Sequence, residues 1–168
     1  MMNTKMIDIL RGRPIGQIGI VVPDIERALD RYSNLWGVGP WIGYTYGPDT
    51  IPHLIYRGKP GRCSVRIALA GQSPQIELLQ PLAGPSVYDG WLETRGEGVH
   101  HLAVMVELIH DAIKAMEISG YALLQAGYGY GLDGDGGFAY FDTHHDFGVI
   151  IEMLEVPKRR RKPDFTWP

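Results

Sequence analysis

The chain has almost no cysteine. Cys63 stands alone among 168 residues, so no disulfide can form within one molecule, and a reducing compartment is the expectation. A charge surplus is missing too: 16 Lys and Arg against 19 Asp and Glu leave a formal net charge of −3, with no general reason to expect nucleic acid or a membrane surface as partner. Long apolar runs are also absent. Lys5, Asp8, Arg11 and Arg13 interrupt the first residues, so neither an export signal nor a membrane span is expected, and the cytoplasm is the default location. What is present is 45% hydrophobic residues, enough for a sizeable core in about one domain's length or in two fused half-domains.

The apolar residues are arranged as a repeat. When Gln17 is laid on His101, Ile18, Ile20 and Val22 fall on Leu102, Val104 and Val106, while Gly19 and Val21 fall on Ala103 and Met105. Side chains alternate across a strand, so each copy has one apolar face and one face carrying a single polar group beside small residues. The match continues into a helix, where Ile25, Ala28, Leu29 and Tyr32 fall on Ile109, Ala112, Ile113 and Met116. A second match closes each half: Ile76-Glu77-Leu78-Leu79 before Pro81 resembles Ile151-Glu152-Met153-Leu154 before Pro157.

In chain order, residues 1–14 read as an N-terminal arm, Ile15 to Val22 as a strand, and Asp24 as the N-cap of a helix that Gly37 ends. An aromatic strand follows from Gly39 to Tyr46. Thr50 to Gly61 reads as a lid or a loop with a short helix, then come strands Cys63 to Ala70 and Gln75 to Gln80, and a short helix from Ser86 to Arg95. The second half repeats the order with a helix from Ile109 to Ser119, whose N-cap position holds an unsuitable Leu108, and a strand from Tyr121 to Gln125. Gly127 to Gly137 is expected to be a mobile glycine-rich loop; no downstream glutamate has calcium-loop spacing. Lys158 to Lys162 is expected to be a solvated basic run. The domain is thus 15–156, built of modules at about 15–81 and 98–156, with a basic C-terminal tail at 157–168.

Two such strand-helix-strand-strand-strand units, each curling its sheet, can pair about a pseudo-twofold axis and bring Gln17, Glu77, His101 and Glu152 to one concave surface. One imidazole, two carboxylates and an amide oxygen form an N/O ligand set that suits one divalent ion, Zn, Ni, Co, Mn or Fe. Any one of these residues alone reads more readily as structural. Their equivalent places in a repeat point to a shared role.

The pairing of Gln17-Ile-Gly-Ile-Val-Val-Pro-Asp-Ile with Gly98-Val-His-His-Leu-Ala-Val-Met-Val, each before a helix, resembles the vicinal oxygen chelate superfamily, nearest in pattern to methylmalonyl-CoA epimerase and glyoxalase I-like proteins. The resemblance spans about Ile15 to Val156. It implies an α+β fold of tandem βαβββ modules forming a cupped mixed sheet, with Gln17, Glu77, His101 and Glu152 as metal ligands. It further implies a metal-dependent isomerase, epimerase or lyase acting on a small carbonyl or acyl-thioester substrate through a metal-stabilised enolate, and a homodimer. Glu152 is the expected base and Glu77 the second candidate. Gln17 and Glu77 stand where epimerases have histidine and glutamine, so the ligand set is similar to that of eukaryotic-type glyoxalase I. Arg66 stands where the epimerase base is expected and is assigned to an anionic substrate group, with Trp41, Tyr44 and Tyr140 as pocket walls. His145 is an alternative acid or base, and His53 and His144 are polar extras. The alternatives are an Fe(II)-dependent ring-cleaving dioxygenase and a metal-free small-molecule binding protein of the resistance type.

Overall fold

The structure, a computed structural model, describes residues 11–168; most of the expected N-terminal arm, residues 1–10, lies outside the described residues. The first half comprises β1 (Ile15–Val21), α1 (Ile25–Trp36), β2 (Trp41–Tyr46), β3 (His53–Tyr56), β4 (Lys59–Pro60), β5 (Ser64–Ala70) and β6 (Gln75–Ala83). α2 (Val87–Arg95) links it to β7 (Gly98–Met105), α3 (Ile109–Ile118), β8 (Leu123–Tyr130), β9 (Gly136–Phe141), α4 (His144–Phe147) and β10 (Ile150–Glu155), and β11 (Phe165–Trp167) ends the chain. The described strands form one mixed sheet in the order β11-β2-β5-β6-β1-β7-β10-β9-β8-β3-β4. The βαβββ repeat is therefore real, and the architecture is α+β as the sequence implies.

Register makes the repeat quantitative. β1 runs parallel to β6 with Gly19 opposite Glu77, and β7 runs parallel to β10 with Ala103 opposite Glu152. These are the pairs that the sequence superposition equates. The halves join where β1 meets β7 antiparallel, with Gln17 opposite Ala103 and Gly19 opposite His101. Each large polar side chain thus faces a small residue of the other half.

Alternation sorts the core into layers. On the convex face α1 packs Ile25, Ala28 and Leu29 onto Ile20, Trp41, Ala68 and Leu78, and α3 packs Ile109, Ala112 and Met116 onto Val104, Ala139 and Met153. The concave face carries Val21, Tyr44, Ile67, Leu69, Leu79 and Tyr140, closed at one end by Tyr88 of α2. Asp24 caps α1, its Oδ1 accepting from Arg27 N at 2.9 Å. Leu108 indeed provides no cap for α3; Glu155 Oε2 of β10 accepts from Ile109 N at 2.8 Å instead, a cap supplied from across the fold.

Three expected segments differ. Thr50 to Gly61 holds no helix. It is a hairpin, β3–β4, turning at Arg57 and Gly58 with φ of 48° and 75°, both left-handed as a tight two-residue turn requires, and β3 pairs with β8 of the other half. The start of the expected glycine-rich loop, Gly127 to Tyr130, belongs to β8, and its Gly136 and Gly137 to β9. A Cβ on Gly127 would stand 2.4 Å from the Phe138 ring, so glycine here makes room for a cross-strand aromatic and does not mark a break in the strand. The basic tail is not a free solvated run: β11 pairs with β2, Phe165 opposite Gly43 and Trp167 opposite Trp41.

Candidate metal centre

The triad follows from the register. Glu77 and Glu152 project from the two parallel pairs onto the concave face, and His101 projects between them from the central strand. The His101 ring lies over Gly19; a Cβ there would come within 1.9 Å of its Cε1. His101 Nε2 is 3.3 Å from Glu77 Oε2 and 3.1 Å from Glu152 Oε2, and one ligand atom from each residue lies within 4.8 Å of the others. All three residues are buried, His101 completely.

Proximity here is not hydrogen bonding. His101 Nε2 and Glu152 Oε2 have no well-directed hydrogen-bond partner, although the imidazole lies within ion-pair distance of both carboxylates. Buried polar atoms aimed at a shared point, from a hard N/O donor set, fit a divalent cation. Electrostatics agree. Burial works against a charge on His101, but Glu152 and then Glu77 outweigh it and push its pKa up to about 9. Two carboxylates that draw a proton this strongly also favour a metal ion. Burial, opposed by His101, raises the Glu77 carboxyl above its ordinary range.

A second imidazole orients the first. The register of β1 against β7 shifts between Gly19 and Ile20, which marks a bulge at His100. Such an irregularity re-aims a side chain. His100 packs against Tyr88, Trp91 and Tyr140, and its Nδ1 lies 3.0 Å from His101 Nδ1. Burial, and then the neighbouring His101, hold the His100 pKa well below the usual value. A hydrogen bond between the Nδ1 atoms leaves His101 Nε2 as the end directed at the carboxylates.

Beside this point is a small cavity of about 60 Å³ that opens to solvent. Its walls are mostly apolar, with Ile51, Leu54, Ile67, Leu69, Phe138 and Leu154 among them. Gln17 lines it as well, its Nε2 donating to Gln75 Oε1 at 3.0 Å. Tyr140 also lines it, 5.0 Å from the His101 ring between centroids and hydrogen-bonded to Tyr88 at 3.0 Å. Burial first, then nearby carboxylates, push the Tyr140 hydroxyl well above its ordinary pKa.

The other expected wall residues fare differently. Tyr44 is on the concave side but buried behind, stacked on Tyr46, which takes the lining position. Trp41 is on the convex side, its Nε1 donating to Val38 O at 2.8 Å beneath α1. Arg66 is also convex: it ion-pairs with Glu26 of α1 and stacks over Phe165 at 4.4 Å. The cause is parity, since Val65, Ile67 and Leu69 of β5 face the cavity and the residues between them cannot. His53 stacks on Tyr128, His144 faces Trp91 and the His145 side chain is fully exposed; none lines the cavity.

Two lining residues escape sequence reading. Gln125 is 1% exposed; its oxygen accepts from Val87 N at 3.0 Å, and its Nε2 is buried with no partner. A lone polar residue in an apolar stretch of strand was the available sign. Arg160 reaches the cavity from the tail, and nothing in a five-residue basic run distinguishes it from its neighbours.

A family model described as Glyoxalase/Bleomycin resistance protein/Dioxygenase superfamily matches residues 16–141. The chain is 25% identical over 143 residues to YqjC, an uncharacterised protein of Bacillus subtilis, covering 84% of this chain and 91% of that one. It is 25% identical over 114 residues to the mitochondrial methylmalonyl-CoA epimerase of Dictyostelium discoideum, covering 62% and 61%. Among solved structures, a hypothetical protein from Bacillus halodurans superposes with a TM-score of 0.64 at 23% identity, over 90% of this chain and 99% of that one. Methylmalonyl-CoA epimerase from Mycobacterium tuberculosis superposes with 0.61 at 24%, over 89% and 91%. At these identities the superpositions establish the fold alone.

Proposed function

The chain belongs to the Glyoxalase/Bleomycin resistance protein/Dioxygenase superfamily, and within it we propose a metal-dependent isomerase, epimerase or lyase that moves a proton beside the carbonyl of a small ketone, aldehyde or acyl thioester. The observation that carries this reading is the convergence of Glu77, His101 and Glu152 on one buried point, with both carboxylates lining a largely apolar cavity. These three, with the Gln17 oxygen, would hold Zn, Ni, Co, Mn or Fe. When bound, the ion would supply positive charge against which a substrate oxygen can gather negative charge.

The remaining roles fall to the chain itself. Among the described residues Glu77 and Glu152 are the only acids lining the cavity, so the base is one of them. Glu152 takes that role, removing the proton next to the carbonyl and returning it; Glu77, its carboxyl shifted upward by burial, is the second candidate. Tyr140 keeps its phenolic proton and can donate to a substrate oxygen. Apolar walls limit the water that competes for these groups.

Ring cleavage relies on two histidines and one carboxylate, whereas one histidine and two carboxylates converge here, with His100 engaged by His101. The test begins with metal analysis of protein purified without added metal. Solvent-deuterium exchange follows, into a panel of acyl-CoA thioesters, hemithioacetals and hydroxy-keto acids. Expected are one Zn, Ni, Co or Mn ion per chain and exchange that Glu152→Gln abolishes while circular dichroism stays unchanged. Iron with oxygen uptake would favour ring cleavage, and no metal would favour simple sequestration. A homodimer is part of this reading and is checked by sedimentation equilibrium.

A further inference from the structure

Of three consecutive arginines in the C-terminal segment, the middle one, Arg160, lines the cavity, and the outer two are tied down. Arg159 donates from Nε to Asp133 Oδ2 at 2.8 Å and from Nη2 to Oδ1 of the same carboxylate, on the turn between β8 and β9. Arg161 forks onto Asp164 at 2.5 and 2.9 Å and also donates to Thr45 O at 2.8 Å, on β2. Backbone bonds hold the strap as well, with Leu132 N to Arg159 O at 2.9 Å and Lys158 N to Asp135 Oδ2 at 3.3 Å. Anchored on both sides, the strap turns the middle residue inward. Arg160 is half-buried and lines the cavity, and among the described residues no carboxylate pairs with it; the Arg161 guanidinium, 5.3 Å from the Tyr46 ring, is held by Asp164.

The charge balance of the cavity then matters. Among the described residues, Glu77, Glu152 and Arg160 are the only charged side chains lining it. A divalent ion cancels the two carboxylates, and a ligating imidazole is neutral, so Arg160 remains as one uncompensated positive charge. A guanidinium in partly apolar surroundings matches a carboxylate with two parallel hydrogen bonds. A phosphate dianion would leave a negative charge without a partner. Gln125 Nε2, buried and unpartnered, is a further donor facing the same space.

We propose that the substrate bears a carboxylate in addition to its reacting carbonyl, and that Arg160 binds it, with Gln125 as a positioning donor. The ligand this pairing selects is a small monocarboxylate with an apolar body, and the new element is the residue that recognises it, Arg160 of the strap. This deepens the reading of the metal centre and rests on it for the charge count. It also moves anion recognition from β5, where Arg66 cannot serve, to the C-terminal strap.

Isothermal titration with levulinate, 3-benzoylpropionate and phenylacetate, each against its methyl ester, tests the proposal. At least one acid is expected to bind the wild-type protein ~10-fold or more tightly than its ester, the scale of a charge-assisted bidentate pair. Arg160→Ala should erase that preference while metal content and circular dichroism stay unchanged, and Arg160→Lys should restore part of it. Equal binding of acid and ester, no acid binding at all, or a preference that survives in Arg160→Ala would each overturn the assignment. Metal content is read separately. A metal-free protein with an Arg160-dependent preference strikes only the metal reading, and a metal-loaded one without the preference strikes only this proposal.

Discussion

Gly19 is where a missing side chain decides what the floor of the cavity can hold. His101 lies in the space a Cβ at Gly19 would take, and that Cβ would meet three ring atoms at 1.9 to 2.4 Å. Gly19→Ala should therefore push the imidazole off the common point and weaken metal binding by ~10–100-fold or more, at least as much as losing an outer-shell partner of a metal ligand. Metal titration followed by competition with a chelator would measure it, and unchanged affinity would mean that the ring can be held elsewhere. Arg66 gives the opposite forecast. Paired with Glu26 on the convex face, it should leave ligand binding untouched when changed to Ala and cost only ~0–1 kcal/mol of stability, as partly exposed ion pairs do. Its misassignment has a simple origin: Ser64 and Arg66 mark one face of β5, but the sequence does not show that this face turns to α1 and Glu26 while Val65, Ile67 and Leu69 turn to the cavity.

At the scale of elements, the helices of the two halves are equivalent in packing and different in how they begin. Asp24→Ala removes the bond to Arg27 N and should cost ~1 kcal/mol, the usual value of an N-cap. Glu155→Ala should cost a similar ~1 kcal/mol at α3, because its carboxylate takes the place of the cap that Leu108 cannot offer. Urea denaturation would report both, and a stability unchanged in Glu155→Ala would show that water caps α3 equally well. The first of these caps was legible in the sequence because Asp24 and Arg27 N lie three residues apart. The second was not, because Glu155 and Ile109 are brought together only by the parallel pairing of β10 with β7. The same limit hid the bulge at His100, which depends on two strands from different halves meeting at their middles.

At the scale of the whole molecule, the strap and β11 join a sheet edge to the cavity mouth. Phe165 and Trp167 pack against the cluster beneath α1, so ending the chain after Pro157 should cost about 2–4 kcal/mol, on the order of two half-buried aromatic side chains, and should abolish any preference for acids. Thermal unfolding and the acid–ester titration would read the two effects, and full stability in the truncated chain would show that β11 only rests on the edge. The sequence by itself determined the duplicated module, the faces of β1, β6, β7 and β10, and hence the three groups, Glu77, His101 and Glu152, that the fold brings together. A period of two along a strand, repeated at equivalent places, survives folding unchanged. Only the tertiary structure decided which half β3 joins, what covers the cavity mouth and which arginine faces inward. Those depend on pairings between distant segments, where turn geometry and cross-sheet anchors set the outcome and local pattern carries no record of it.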